Sequence, residues 1–317
     1  MSNPKLTVLL PVYNPKRDWF YTAVDSILNQ TFGDFHLLII DDGSEDNSSE
    51  IILNVKTKDP RIKVVKNLKN IGLVNTLNKG LKITTSEYVA RMDADDWSFP
   101  NRFELQIKFL EENPDIAVLG TYAQSMSTEQ PIFDQTIISH SDILSTLPFN
   151  NCISHPSVIF RRNEILSIGG YPNAFGAEDY ALWSKICFDS NLKIQILPEV
   201  CLKYRVCDGQ KKYGNKQDES SKSIRAAIFR SIISSERNKF FLNDDKLIWT
   251  DQKLNQLINA IKQKYIINNE LLYKNALKIK KEILKNKLYN REISFLEYTV
   301  RKTIIKINAI TSRTRDQ

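Results

Sequence analysis

Five short apolar runs, Leu6 to Leu10, Phe35 to Ile40, Arg61 to Val65, Tyr88 to Met92 and Ile116 to Tyr122, begin about 27 residues apart. Helical patterns fill the intervals: Ala23, Val24, Ile27 and Leu28; Ile51, Ile52 and Val55; Leu73, Val74, Leu77 and Leu81; Phe103, Leu105, Ile107, Phe109 and Leu110. Strand-like runs alternating with helix-length amphipathic segments predict repeated strand-helix units and a mostly parallel sheet flanked by helices, the α/β class. Ser48 opens the second helix, and Pro100-Asn101 precedes a fourth that ends near Asn113-Pro114.

From Pro148 the pattern is less regular. A strand-like Ser157 to Arg161, a Gly169-Gly170-Tyr171-Pro172 turn, a helix near Asp179 to Phe188 and the run Ile194 to Val206 follow. Beyond a polar segment, long helical patterns take over, including Leu254, Leu257, Ile258, Ile261, Tyr265 and Ile266. The expected organisation is a domain over 1–215, with halves 1–122 and 123–215, and a helical region over 216–317. Charge divides at the same place. Residues 211–317 hold 24 Lys/Arg against 11 Asp/Glu (+13), and residues 1–210 hold 20 against 26 (−6). The two parts are expected to meet different partners.

No stretch approaches the roughly 20 apolar residues of a membrane-spanning helix, and the N-terminus leads directly into the first strand-like run. Cys152, Cys187, Cys201 and Cys207 show no CxxC spacing. The expectation is a cytoplasmic chain with reduced thiols and neither a zinc site nor a disulfide framework.

Ligands of open parallel sheets bind beyond the carboxyl ends of the strands. Here those ends read Pro11-Val12-Tyr13-Asn14, Asp41-Asp42-Gly43-Ser44-Glu45-Asp46 and Asp93-Ala94-Asp95-Asp96. Clustered carboxylates repel one another unless a cation is bound. Oxygen-only ligands favour Mg²⁺ or Mn²⁺, which keep positions open for substrate phosphates. A diphosphate ligand follows from that reading, and solvated turns or helix caps are the structural alternative.

The set PVYN, SILNQTF, DDGSED, NIGLVNTLNKGL, ARMDADDWSFPNR, HPSVIFRR and GAEDYALW resembles the family 2 glycosyltransferases of the GT-A fold, bacterial surface-polysaccharide type, over roughly residues 5–207. The resemblance implies a nucleotide-sugar half over 1–122 and an acceptor half over 123–215. Pro11, Tyr13, Asn14 and Asp42 would hold the nucleoside, typically uridine. Asn70, Asn78 and Arg91 match positions near base, ribose or diphosphate, although Arg91 also stands where it could neutralise Asp93. Asp93 and Ala94 would meet ribose or donor sugar, and Asp95, with Asp93 as a second candidate, would hold Mn²⁺ or Mg²⁺. Asp179 matches the general base of an inverting transfer, with Glu178 beside it. His155 would touch phosphate or acceptor, or serve structure alone. Trp183 would stack on an acceptor sugar or, as aromatics at helical spacing more often do, fill the core.

The implied reaction moves a hexose or N-acetylhexosamine from a UDP-sugar to a glycan hydroxyl, with a lipid-linked acceptor in capsule, O-antigen or exopolysaccharide assembly. The stripes Leu277, Ile279, Ile283, Leu284 and Leu288, and the stretch Tyr298 to Ile307, interleave with lysine. They predict either docking on an anionic membrane at the inner leaflet or packing on the catalytic domain or a second subunit. Three rival readings stand at this point, one of them an inactive, sugar-binding relative, which intact Asp95 and Asp179 argue against. A nucleotidyltransferase would carry a Gly-rich phosphate loop after the first strand, which Pro11 to Pro15 is not. A nucleic-acid-binding protein rests on basic charge alone, so no nucleic-acid partner is expected.

Overall fold

The computed structural model describes residues 3–45, 48–206, 214–233, 242, 247–289, 301–302 and 305. The first unit is β1 (Leu6–Val12), α1 (Arg17–Leu28), β2 (Phe35–Asp41), α2 (Ser48–Lys56), β3 (Ile62–Lys66), α3 (Leu73–Ile83) and β4 (Tyr88–Arg91). Next come β5 (Trp97–Ser98), α4 (Arg102–Glu112), β6 (Ile116–Ser125), α5 (His140–Thr146), β7 (Ile159–Arg161), α6 (Arg162–Ser167), α7 (Glu178–Asp189) and β8 (Lys193–Tyr204). Three helices follow: α8 (Gly214–Ile233), α9 (Asp251–Lys264) and α10 (Asn269–Tyr289).

All eight strands share one sheet in the order β3-β2-β1-β4-β7-β6-β8-β5. The first four pair in parallel, as the strand-helix repeat requires. β7 then enters antiparallel to both β4 and β6, and β5 lies antiparallel to β8. Neither reversal was legible in the sequence: β7 has three residues and β5 two, too short for a periodic signal. Their effect is to bring the carboxyl end of β8 beside the acidic loop after β4.

Alternation along each strand builds two cores. Leu6, Val8, Leu10, Leu37 and Ile39 face α1, α2 and α4, with Phe20, Ile52 and Phe103 among the partners. Leu9, Leu38, Ile40 and Val89 face α3, α5 and α7. The C-terminal helices join this second core: Ile224, Ile228, Leu254, Leu257, Ile261, Leu272, Ile279 and Ile283 are buried in one cluster with Trp183 and Ile186. Trp249 stacks on Phe149 with centroids 5.9 Å apart, and Asn268 donates to Asp142 at 2.8 Å.

The apolar stripes of α9 and α10 therefore pack into the core that α5 and α7 share. This fits the packing branch of the sequence reading and removes these faces from direct insertion into a bilayer. The side chain of Leu288, most of Tyr298 to Ile307, and Cys207 lie outside the described residues. Among those described, Cys152, Cys187 and Cys201 are buried free thiols. Because Leu257 is 1% exposed within the shared core, Leu257→Ala is expected to cost about 2–5 kcal/mol. Urea unfolding followed by tryptophan fluorescence checks this, with one transition expected.

Candidate active site

The carboxyl ends of β1 and β2 carry the first group of candidate residues. Asn14 takes a left-handed conformation (φ 46°), and its amide N–H donates to Ser44 Oγ at 3.0 Å. Its side-chain oxygen accepts from the Glu45 N–H at 3.2 Å, so the two loops are stitched together. Tyr13 projects at 46% exposure, whereas Pro11 is a buried strand residue opposite Ile40.

Asp41 and Asp42 serve different ends. Asp41 caps its own turn by accepting from the Ser44 N–H at 2.8 Å. Asp42 accepts from Asn67 Nδ2 at 2.8 Å and from the Ile71 and Gly72 amides, each at 3.0 Å. A carboxylate offers about four lone-pair positions, so roughly one remains. Gly43 makes this close approach feasible. At φ 75°, a Cβ there would lie 2.4 Å from the Lys69 carbonyl carbon.

Asn70, exposed, closes a local turn by accepting from the Gly72 N–H at 3.0 Å. Asn78 differs from the expectation of a donor contact. Its amide donates to the Tyr171 carbonyl and accepts from the Tyr171 N–H, both at 2.9 Å, joining α3 to the turn before α7.

The second group centres on the loop after β4. One carboxylate oxygen each from Asp93, Asp95 and Asp96 lies within 4.8 Å of the others. Burial, then repulsion from Asp93, raises Asp95 to about 6 and pushes Asp96 well above the usual carboxylate range. Asp96 Oδ1 accepts from the Arg205 N–H at 2.8 Å, while its Oδ2 is buried with no hydrogen-bond partner. An oxygen-only cluster with an orphaned buried carboxylate oxygen fits a hard divalent cation.

Three arginines surround this loop. Arg102, wholly buried, donates to the Arg91 and Val158 carbonyls at 3.1 and 3.3 Å and to Gln106 at 3.0 Å, anchoring the loop from below. Burial lowers its pKa to about 10. Arg205 Nε donates to the Asp95 carbonyl at 2.8 Å, and its guanidinium sits 4.5 Å from the Trp19 ring centroid. Arg91, 4% exposed, forms an ion pair with Asp93. Burial opposes its charge, but Asp93, then Tyr171 and Glu178, raise its pKa above the ordinary value.

The start of α7 also lies in the field of Arg91. Asp179 Oδ2 accepts from Asn151 Nδ2 at 2.8 Å, and Oδ1 accepts from the Tyr180 N–H at 2.7 Å. Burial raises its pKa, and those two donors counteract part of the rise. Glu178, 7% exposed, is pushed up to about 7 by burial and by Asp179. His155 Nδ1 lies 3.8 Å from Glu178, and Nε2 lies 2.8 Å from the Tyr171 hydroxyl. Burial, then Arg91, holds His155 well below its usual pKa, so the ring is neutral.

Trp183 takes the core branch of the sequence reading and not the sugar-stacking one. It is completely buried, edge-on to His155 with centroids 5.9 Å apart, and cannot stack on an acceptor sugar. Four residues after Asp179, it lies one helical turn deeper and faces the core instead. Sequence reasoning also passed over Asn151, Arg102 and Arg205. Arg205 was findable by applying the strand-end rule to the last strand, but Asn151 sits in an irregular polar run with no periodic signal.

Strand ends that gather an acidic triad and hydrogen-bonded polar loops, with a carboxylate pair at the start of α7 in the same field, form the site of a glycosyltransferase. The sequence pattern of Glycosyl transferase family 2 matches residues 7–168, and the chain belongs to that family. It is 35% identical over 190 residues to the Escherichia coli O-antigen biosynthesis glycosyltransferase WbnJ, covering 58% of this chain and 73% of the relative. Another E. coli relative, UDP-Gal:alpha-D-GlcNAc-diphosphoundecaprenol beta-1,3-galactosyltransferase, is 32% identical over 189 residues, 58% of this chain and 68% of its own. In fold, the chain is similar to S. aureus TarS residues 1–349 in complex with UDP-GlcNAc. The TM-score is 0.60 at 18% identity, over 89% of this chain and 81% of that one.

The Asn151 amide stabilises the charged form of Asp179, so Asn151→Ala is expected to raise the Asp179 pKa further. If Asp179 is the base of the transfer reaction, it works only when ionised. The acid limb of the pH–rate profile should therefore move to higher pH, with kcat at neutral pH falling about tenfold. Initial rates measured between acidic and neutral pH test the shift.

Proposed function

We propose that this enzyme transfers a hexose or N-acetylhexosamine from a UDP-sugar to a hydroxyl of a lipid-linked glycan, inverting the anomeric centre, in surface-polysaccharide assembly. The observation that carries the reading is the arrangement around Arg91. Arg91 pairs with Asp93 of the acidic triad and also lies in the field of Glu178 and Asp179, and Asp179 is a half-buried carboxylate oriented by Asn151 and held above its ordinary pKa. Single displacement needs an anion-neutralising group and a base, and the triad and Asp179 suit those two tasks. The relatives' UDP-galactose and UDP-GlcNAc support a uridine donor, and the diphosphoundecaprenol in one relative's name supports a lipid-linked acceptor.

Each residue then has a task. The remaining lone-pair position of Asp42 suits a uracil imide N–H, which a cytosine N3 does not offer. Asp95 and Asp93, with the orphaned oxygen of Asp96, would hold Mn²⁺ or Mg²⁺. Such an ion supplies neutralisation of the departing diphosphate's charge. Arg205, braced on Trp19 and on the Asp95 carbonyl, offers its terminal nitrogens to the same phosphates. Asp179 removes the proton from the attacking acceptor hydroxyl while the sugar passes through its oxocarbenium-like state. Glu178 ionises near neutrality, and its charge raises the basicity of Asp179. Neutral His155 and Tyr171 keep the floor of the site free of a competing cation.

Incubation with individual UDP-sugars and Mn²⁺ or Mg²⁺, with UDP release as readout, should reveal metal-dependent hydrolysis of one donor. Asp95→Ala should abolish it. Asp179→Asn should lower acceptor-dependent transfer about 10²- to 10⁴-fold while leaving UDP binding intact. Absence of both UDP release and calorimetric UDP binding would overturn the uridine assignment.

A further inference from the structure

The apolar face of α10 is used up in the core, so its opposite face is what the helix offers to the surroundings. That face is a ladder of lysines. Lys274, Lys278, Lys281 and Lys285 are all exposed and recur every three or four residues, which places them on one side of the helix. Buried Leu272, Ala276, Ile279 and Ile283 lie on the other. Lys274 pairs with Asp134 at 2.8 Å, and Glu270 stands in the first turn. Over the following two turns, Lys278, Lys281 and Lys285 have only Glu282 as an exposed acidic neighbour on the helix.

At the turn between α9 and α10 the ladder meets exposed apolar groups. Ile266 is 89% exposed and Tyr273 is 44% exposed, and the Lys262 ammonium donates to the Tyr273 hydroxyl. Lys264, at the end of α9, is exposed too. Lone exposed hydrophobes are ordinary. An exposed isoleucine in a helix-hairpin turn whose flanking helices carry an amphipathic tyrosine and exposed lysines has the composition of a bilayer interface contact.

We infer that the α9–α10 hairpin is a docking face for an anionic lipid surface, held by the lysine ladder of α10 and seated by Ile266 and Tyr273. The attachment is electrostatic with a shallow apolar contact. It differs from the insertion of an amphipathic helix, because the large apolar face of α10 is already enclosed by α5 and α9. Charge complementarity selects the partner: the C-terminal third carries a net +13, opposite to anionic headgroups and unlike the net −6 of the preceding residues.

Flotation of the full-length protein tests this with phosphatidylcholine vesicles, with and without phosphatidylglycerol. The wild type should float only with the anionic vesicles and be released by salt. Each lysine is expected to contribute about fivefold to partitioning, so Lys278→Gln/Lys281→Gln/Lys285→Gln together should weaken it on the order of 100-fold. Ile266→Asp alone should weaken it as well. These are exposed positions, and an unchanged melting temperature and UDP release identify folded variants. Because donor release reports on the catalytic site and flotation on this face, failure of either reading leaves the other standing. Equal flotation of wild type and triple variant would overturn the inference, since the chain beyond α10 is common to both. So would equal flotation with neutral vesicles, or salt-sensitive retention on single- or double-stranded nucleic acid in place of vesicles.

Discussion

A single buried guanidinium holds the two chemical ends of this protein in relation. Arg91 ends β4, pairs with Asp93, and lies in the field of Glu178 and Asp179. Burying a cation is tolerable only with anions close by, and the surrounding carboxylates would repel one another without it. The acids and the arginine therefore depend on each other. Arg102 supports the arrangement from beneath through the Arg91 carbonyl, and Gln106 extends the support to the Leu119 and Ser157 carbonyls at 2.7 and 3.0 Å.

The same network explains why His155 is neutral although it lies near Glu178. The ring is enclosed by Tyr171 and Trp183 and faces the positive field of Arg91, so protonation would add a second buried cation to the same space. Asn78 closes the circuit on the donor side by gripping the Tyr171 backbone. Asn78, which a sequence reading assigns to substrate contact, thus forms part of a scaffold that ties α3 to the turn before α7. Second-tier hydrogen bonds of this kind set the geometry that catalytic groups require.

What the sequence disclosed follows from periodicity. The parallel strands and their helices are long enough to show an apolar repeat, and the strand-end rule then locates Asp42 and Asp93 to Asp96. The antiparallel insertions β5 and β7 are too short to register, and Asn151 lies in a segment whose position depends on where α5 and α7 pack. Trp183 shows the limit of spacing arguments: one helical turn from Asp179 identifies a face but not its depth. The C-terminal stripes were visible as amphipathic, yet only packing against α5 and α7 distinguished a core face from a surface one. Charge on the opposite side of α10 was visible from the start, but its isolation from apolar contact was not.

The antiparallel strand β7 has a consequence for motion. By bonding to β4 on one edge and β6 on the other, it makes the donor-bearing and base-bearing halves parts of one uninterrupted sheet. Two halves welded in this way cannot part like the jaws of a hinged enzyme, because opening would break a central ladder of hydrogen bonds. Under the proposed reading, entry of a donor and release of its nucleotide fall to the loops at the strand ends, not to a parting of the two halves of the sheet.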